Sequence, residues 1–132
     1  MGFDGIDLTV RSNGHVLPGN VERDLPLEMG AAKRHGISIH MITTDIIDAG
    51  QKFTERIIKT AASLGIHYYR MGRIFYDKKK SIPQNLAVFK TQLKKLTYLN
   101  REYNIRGECQ NHSGDGFSAP VWDMGSDKIY EP

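Results

Sequence analysis

Three times in this chain an amphipathic pattern closes and a β-branched run begins through the same kind of junction: "HGI" at 35–37, "LGI" at 64–66 and "YNI" at 103–105. Glycine and asparagine accept the left-handed backbone that ends a helix. A helix-to-strand joint used three times leaves few architectures open. Four strand-like runs fit it, Gly5 to Val10, Ile37 to Thr43, Ile66 to Met71 and Ile105 to Gln110, each rich in β-branched or aromatic residues. Strands that alternate with helices normally pair in parallel through right-handed crossovers. The sequence therefore predicts an α/β fold of four βα units.

The helices between these strands carry start signals and apolar stripes. The first is expected to take Asp24 as its cap, with Pro26 in the first turn, and to run to Arg34. The second places Phe53, Ile57, Ile58, Ala61 and Ala62 on one stripe and turns Lys52, Glu55, Arg56 and Lys59 to water. The third follows Ser81 and Pro83 and repeats Leu86, Phe89, Leu93, Leu96 and Tyr103 at three- and four-residue steps. A last helix over 119–130 would bury Trp122, although Gly125 weakens it.

Two parallel architectures suit such a chain. An open doubly wound sheet would carry a glycine-rich phosphate loop after its first strand, and "DLTVRSNGH" lacks that spacing. A (β/α)8 TIM barrel needs about 250 residues, so 132 residues correspond to a partial barrel within one domain.

Composition limits the function classes. Eighteen basic residues against fifteen acidic ones give a formal charge of +3, and they are dispersed, with Lys78 to Lys80 reading as a solvated loop. No basic arm for nucleic acid is present. No apolar run approaches the ~20 residues of a membrane span, and the amino terminus lacks a signal peptide's pattern. Cys109 is the only cysteine, which excludes an internal disulfide and makes a reducing, cytoplasmic compartment the default expectation.

In a parallel sheet the chemistry gathers at the C-terminal ends of the strands. Asp7, Thr9, Arg11 and the loop residue His15 come from the first; His40, Thr43, Thr44 and Asp45 from the second; Tyr69 and Arg70 from the third; Glu108, Gln110, Asn111 and His112 from the fourth. Each has a plainer reading. Asp45 suits a helix cap, Arg70 an ordinary ion pair, His15 an idle loop position, and His40 and His67 the satisfied histidines of strands. Asp7 should point away from Ile6 and Leu8, toward a barrel interior. Gln110, Asn111 and His112 are poor core fillers, because a buried polar group without a partner costs about 1–3 kcal/mol. Alternation puts Gln110 and His112 on one side, with Asn111 reaching a ligand only through a bend.

The segments "GFDGIDLTVR", "GHVLP", "ERDLP", "MITTDI", "TAASLGIHYYRMG", "QNHSG" and "FSAPVWDM" together resemble the sugar phosphate isomerase/epimerase family, whose fold is the xylose isomerase-like TIM barrel. The resemblance implies that the chain spans strands two to five of that barrel. It implies a sugar or sugar phosphate as substrate and a divalent metal (Mn, Mg or Zn) in the complete protein. Many relatives read "ENH" where this chain has Gln110, Asn111 and His112. A neutral amide brings no charge to a hard cation, so Gln110 is a weak metal ligand.

Isomerisation or epimerisation removes a proton next to a carbonyl and stabilises the oxyanion that forms. Asp7, Glu108 and His112 are the expected catalytic groups; Arg11, His15, Thr44, Arg70, Gln110 and Asn111 are expected to bind substrate. Two alternatives stand beside this reading: an incomplete half-barrel that acts by self-association, and a nuclease of the apurinic-site endonuclease type. A half-barrel has open edges at its first and fourth strands, so a homo-oligomer or a missing second half is expected as partner.

Overall fold

A computed structural model describes residues 2–110. The expected last helix over 119–130, with Trp122, lies outside the described residues, as do Asn111 and His112. Four strands, β1 (Gly5–Val10), β2 (Ser38–Thr44), β3 (Tyr68–Arg70) and β4 (Arg106–Glu108), alternate with three helices, α1 (Val21–Arg34), α2 (Thr54–Ser63) and α3 (Ile82–Glu102). The strands form one sheet in the order β1-β2-β3-β4, and every neighbouring pair is parallel. The strand order never reverses, so the described sheet has no crevice of the doubly wound kind.

All three predicted junctions form, with one hydrogen-bond pattern. Gly36, Gly65 and Asn104 have φ of 69°, 79° and 50°. Their amides donate to Lys33, Ala62 and Arg101, and the isoleucines that follow, Ile37, Ile66 and Ile105, donate to Ala32, Ala61 and Asn100. This is the paired 6→1 and 5→2 arrangement of a Schellman ending. It also explains why β2, β3 and β4 start later than the sequence suggests: the amides of the three isoleucines close the preceding helices and are not free for the strand ladder. Ile66 and Ile105 instead sink into the core.

The first helix starts a turn earlier than expected. A 3-10 turn over Pro18–Asn20 feeds directly into Val21, which is fully buried and draws the first turn onto the sheet. Asp24 therefore lies within the helix, paired with Arg23 at 2.6 Å, and Pro26 falls inside it. The amide hydrogen that Pro26 lacks would have served the Glu22 carbonyl. Both residues are exposed, so water can take its place. The third helix begins as read, with Ser81 and Gln84 forming a reciprocal capping box.

One face of the sheet supplies Leu8, Val10, Ile42 and Tyr69 to a single core. Leu25 of α1, Ile57, Ile58 and Ala61 of α2, and Phe89, Leu93 and Leu96 of α3 pack against them. Full burial of such side chains stabilises by about 1.5–3 kcal/mol each. Tyr69, fully buried, crosses this layer and donates its hydroxyl to Asn100 Oδ1 at 3.1 Å, joining β3 to α3. The opposite face is polar. Register places Asp7, Met41, Tyr68 and Arg106 in one row and Thr9, Thr43, Arg70 and Glu108 in the next.

Candidate functional site

The loops that leave the C-terminal ends of the strands are held together by backbone contacts. The Gly72 amide donates to the Ile46 carbonyl at 2.9 Å, joining the segment after β3 to the segment after β2. A Cβ on Gly72 would stand 2.8 Å from the Asp45 carbonyl, so only glycine permits this approach. The Met71 amide donates to the Glu108 carbonyl at 2.9 Å, extending the β3–β4 ladder. After β1, the Val16 amide donates to the Thr9 carbonyl, folding the 11–17 loop back on its strand.

A hollow of about 320 Å³ lies among these ends. Arg11 enters from β1, Thr43, Thr44 and Asp45 from β2, Arg70, Met71, Gly72 and Arg73 from β3, and Cys109 and Gln110 from β4. Arg70 donates from Nη1 to Gln110 Oε1 at 2.9 Å. The Arg73 guanidinium lies 4.9 Å from the Phe75 ring centre, within reach of a cation–π attraction. Asp45 Oδ2 accepts the Ser12 amide at 3.4 Å. Thr44 donates to the Arg70 carbonyl at 2.9 Å and accepts the Ile46 amide at 3.2 Å, so its hydroxyl serves the loop as well as the wall. Cys109 Sγ donates to Met71 Sδ at 3.6 Å.

Four expected binding residues, Arg11, Thr44, Arg70 and Gln110, therefore meet in one place. The expected catalytic groups stand differently. Asp7 is not on the wall; its two oxygens lie 2.8 and 2.7 Å from the hydroxyl of Thr43, which is. Glu108 shares the polar face beside Arg70 in register but does not line the hollow. His15 is tied to Thr9, with Nδ1 2.7 Å from Thr9 Oγ1 and its own amide donating to the same oxygen at 3.0 Å. It too stands off the wall. His40 is exposed at an irregularity in β2, where its ring fills the space a Cβ on Gly5 would need. His67 is exposed ahead of β3, with Nδ1 3.4 Å from the Asn104 carbonyl.

Asp45 stood among the strand-end candidates without a site role, and Arg73 was not a candidate; both line the hollow. Asp45 does not cap a helix, since α2 starts only at Thr54; it lines the hollow instead. Arg73 follows β3 in "MGRIF", and its position just past a strand end was the available signal.

Among the described residues no three His, Cys, Asp or Glu side chains gather as metal ligands. Gln110 directs its carbonyl oxygen at a guanidinium, which a divalent cation on the same oxygen would repel. The described donor set does not fit a divalent metal. Nor is any described helix long and apolar enough to cross a membrane. A scan against protein-family models finds no match to this chain, and neither does a search of curated proteins.

Proposed function

We propose that the chain forms the substrate-binding part of a sugar isomerase or epimerase built on a partial TIM barrel. The observation that carries this reading is the convergence of side chains from the C-terminal ends of all four parallel strands on one hollow. That is the place where barrel enzymes assemble their sites. The unreversed strand order is the order a barrel requires.

Within this reading Asp45 is the base, because it is the carboxylate among the wall residues. It takes the proton from the carbon next to the substrate carbonyl. The electron pair of the broken C–H bond moves into the carbon–carbon bond, and the carbonyl oxygen becomes an enediolate oxygen. Arginine donors on the same wall stabilise that charge. Returning the proton to the opposite face inverts the centre; returning it to the former carbonyl carbon, while the proton of the adjacent hydroxyl passes to the former carbonyl oxygen, moves the carbonyl. Asp7 orients the Thr43 hydroxyl from beneath. No step is assigned to a metal.

Exchange of the α-proton into D2O, followed by 1H NMR across a panel of aldoses, ketoses and their phosphates, tests the reading. Asp45→Asn should slow exchange by about 10²–10⁴-fold, the usual worth of a positioned general base. Exchange by Asp45→Asn at the unmodified rate, or no exchange with any sugar, refutes it.

A further inference from the structure

Between Thr44 and Thr54 the chain forms neither strand nor helix, yet this segment carries Asp45 on the wall of the hollow. Its backbone groups need partners other than a regular ladder. The Ile46 amide donates to Thr44 Oγ1 at 3.2 Å, and the Ile46 carbonyl accepts the Gly72 amide at 2.9 Å. One side chain serves the groups on either side. Gln51 Oε1 accepts the Ile47 amide at 2.6 Å and the Asp48 amide at 3.0 Å, and its Nε2 donates to the Asp45 carbonyl at 3.3 Å. A primary amide suits this place because it accepts and donates at once; a carboxylate lacks the donor and an ammonium the acceptor. The backbone of Gln51 is tied in turn: its amide donates to the Asp48 carbonyl at 3.3 Å, which also accepts the hydroxyl of buried Thr54 at 2.9 Å. The Asp45 carboxylate itself is tethered only weakly among the described residues, by the Ser12 amide at 3.4 Å, a long bond. Its position is therefore set by the backbone that carries it.

We infer that Gln51 is the positioning residue of this site: by clipping together the backbone of residues 45–48 it fixes where Asp45 stands on the wall. The inference rests on the proposed function, in which Asp45 is the base, and names the residue on which its aim depends. Gln51 does not line the hollow, so it acts through Asp45 and not on the substrate. It is exposed, so water can serve the amides when the side chain is removed. The fold then survives, while the aim of the carboxylate does not.

Gln51→Met keeps the length of the side chain and removes both polar groups. Its kcat for α-proton exchange in D2O should fall about 10–100-fold, as expected when a reacting group shifts by up to ~1 Å, with KM within about twofold of the parent's. Gln51→Glu still accepts both amides, and its kcat should lie between those of Gln51→Met and the parent. Both thermal midpoints should stay within about 3 °C of the parent's. The Ser12 amide resonance in 1H–15N NMR reports the Asp45 carboxylate without any substrate, and it should move in Gln51→Met. A parent-like kcat in Gln51→Met, a loss confined to KM, equal rates for the two variants, an unmoved Ser12 amide, or a loss accompanied by a collapsed thermal midpoint overturns the inference. The two readings fail separately. A moved Ser12 amide without exchange on any sugar removes the isomerase and keeps Gln51 as the residue that places Asp45; exchange slowed by Asp45→Asn and untouched by Gln51→Met removes the positioning role alone.

Discussion

Replacing Gly72 with alanine should disturb both the stability of the protein and the shape of its hollow. The new Cβ would lie 2.8 Å from the Asp45 carbonyl carbon and oxygen and 2.9 Å from its Cα, whereas carbon atoms in contact normally sit about 3.5–4.0 Å apart. Relief requires the two segments to part by roughly 0.7 Å. That lengthens the Gly72–Ile46 hydrogen bond from 2.9 Å to beyond the ~3.2 Å of a good one. The lost bond is worth about 1 kcal/mol and the overpacking about 1–3 kcal/mol, a total of about 2–4 kcal/mol. With a urea slope of ~2 kcal/mol per molar, the middle of the range for a small domain, the midpoint should fall by about 1–2 M. Gly2→Ala, whose Cβ would meet nothing within 4 Å, serves as the control and should leave the midpoint in place. The wall of the hollow should shift in Gly72→Ala as well, since Asp45 and Arg73 flank the displaced backbone. A midpoint within ~0.3 M of the parent protein would show that the two segments are not tightly seated.

Further substitutions probe the scaffold beneath the site. Burial pushes the Tyr69 phenol well above the ordinary tyrosine range. Its stabilising effect is thus complete below pH ~10, where an unfolded tyrosine would begin to ionise, and is lost as pH rises from there. Tyr69→Phe should cost about 0.5–1.5 kcal/mol at neutral pH through the Asn100 bond and flatten the decline of stability above pH ~10, measured by denaturation at several pH values. Asn85, 3% exposed, accepts the Asp77 amide at 2.8 Å and donates to the carbonyls of Asp77, Lys80 and Ser81. Asn85→Ala should destabilise by about 1–3 kcal/mol and speed proteolytic cleavage between 77 and 81; a protease pattern unchanged from the parent would argue that the loop orders itself.

The repeated junction made most of the fold readable. Left-handed Gly36, Gly65 and Asn104 and the stripe Ile57, Ile58, Ala61 are local signals, and local chemistry decides them. The ends of elements were harder. Whether Ile66 and Ile105 belong to a helix ending or a strand depends on which carbonyl wins their amides, and sequence does not rank those acceptors. The start of α1 turned on the burial of Val21, a tertiary effect that overrides good capping chemistry at Asp24. At the site, strand position alone found Arg11, Thr44, Arg70 and Gln110. It placed Asp45 there too but gave it no role, because a polar residue after a strand reads equally well as a cap, and it missed Arg73 because the close approach at Gly72 that aims its segment is a contact between distant parts of the chain.

Because each strand pairs with the one made just before it, no segment must wait for a distant partner to emerge. Each new βα unit meets a finished edge as it leaves the ribosome, so assembly can keep pace with synthesis at about 5–20 residues per second. At each stage the growing sheet has two edges open to stray pairing, that of β1 and that of the newest strand, and each of β2, β3 and β4 in turn covers the second.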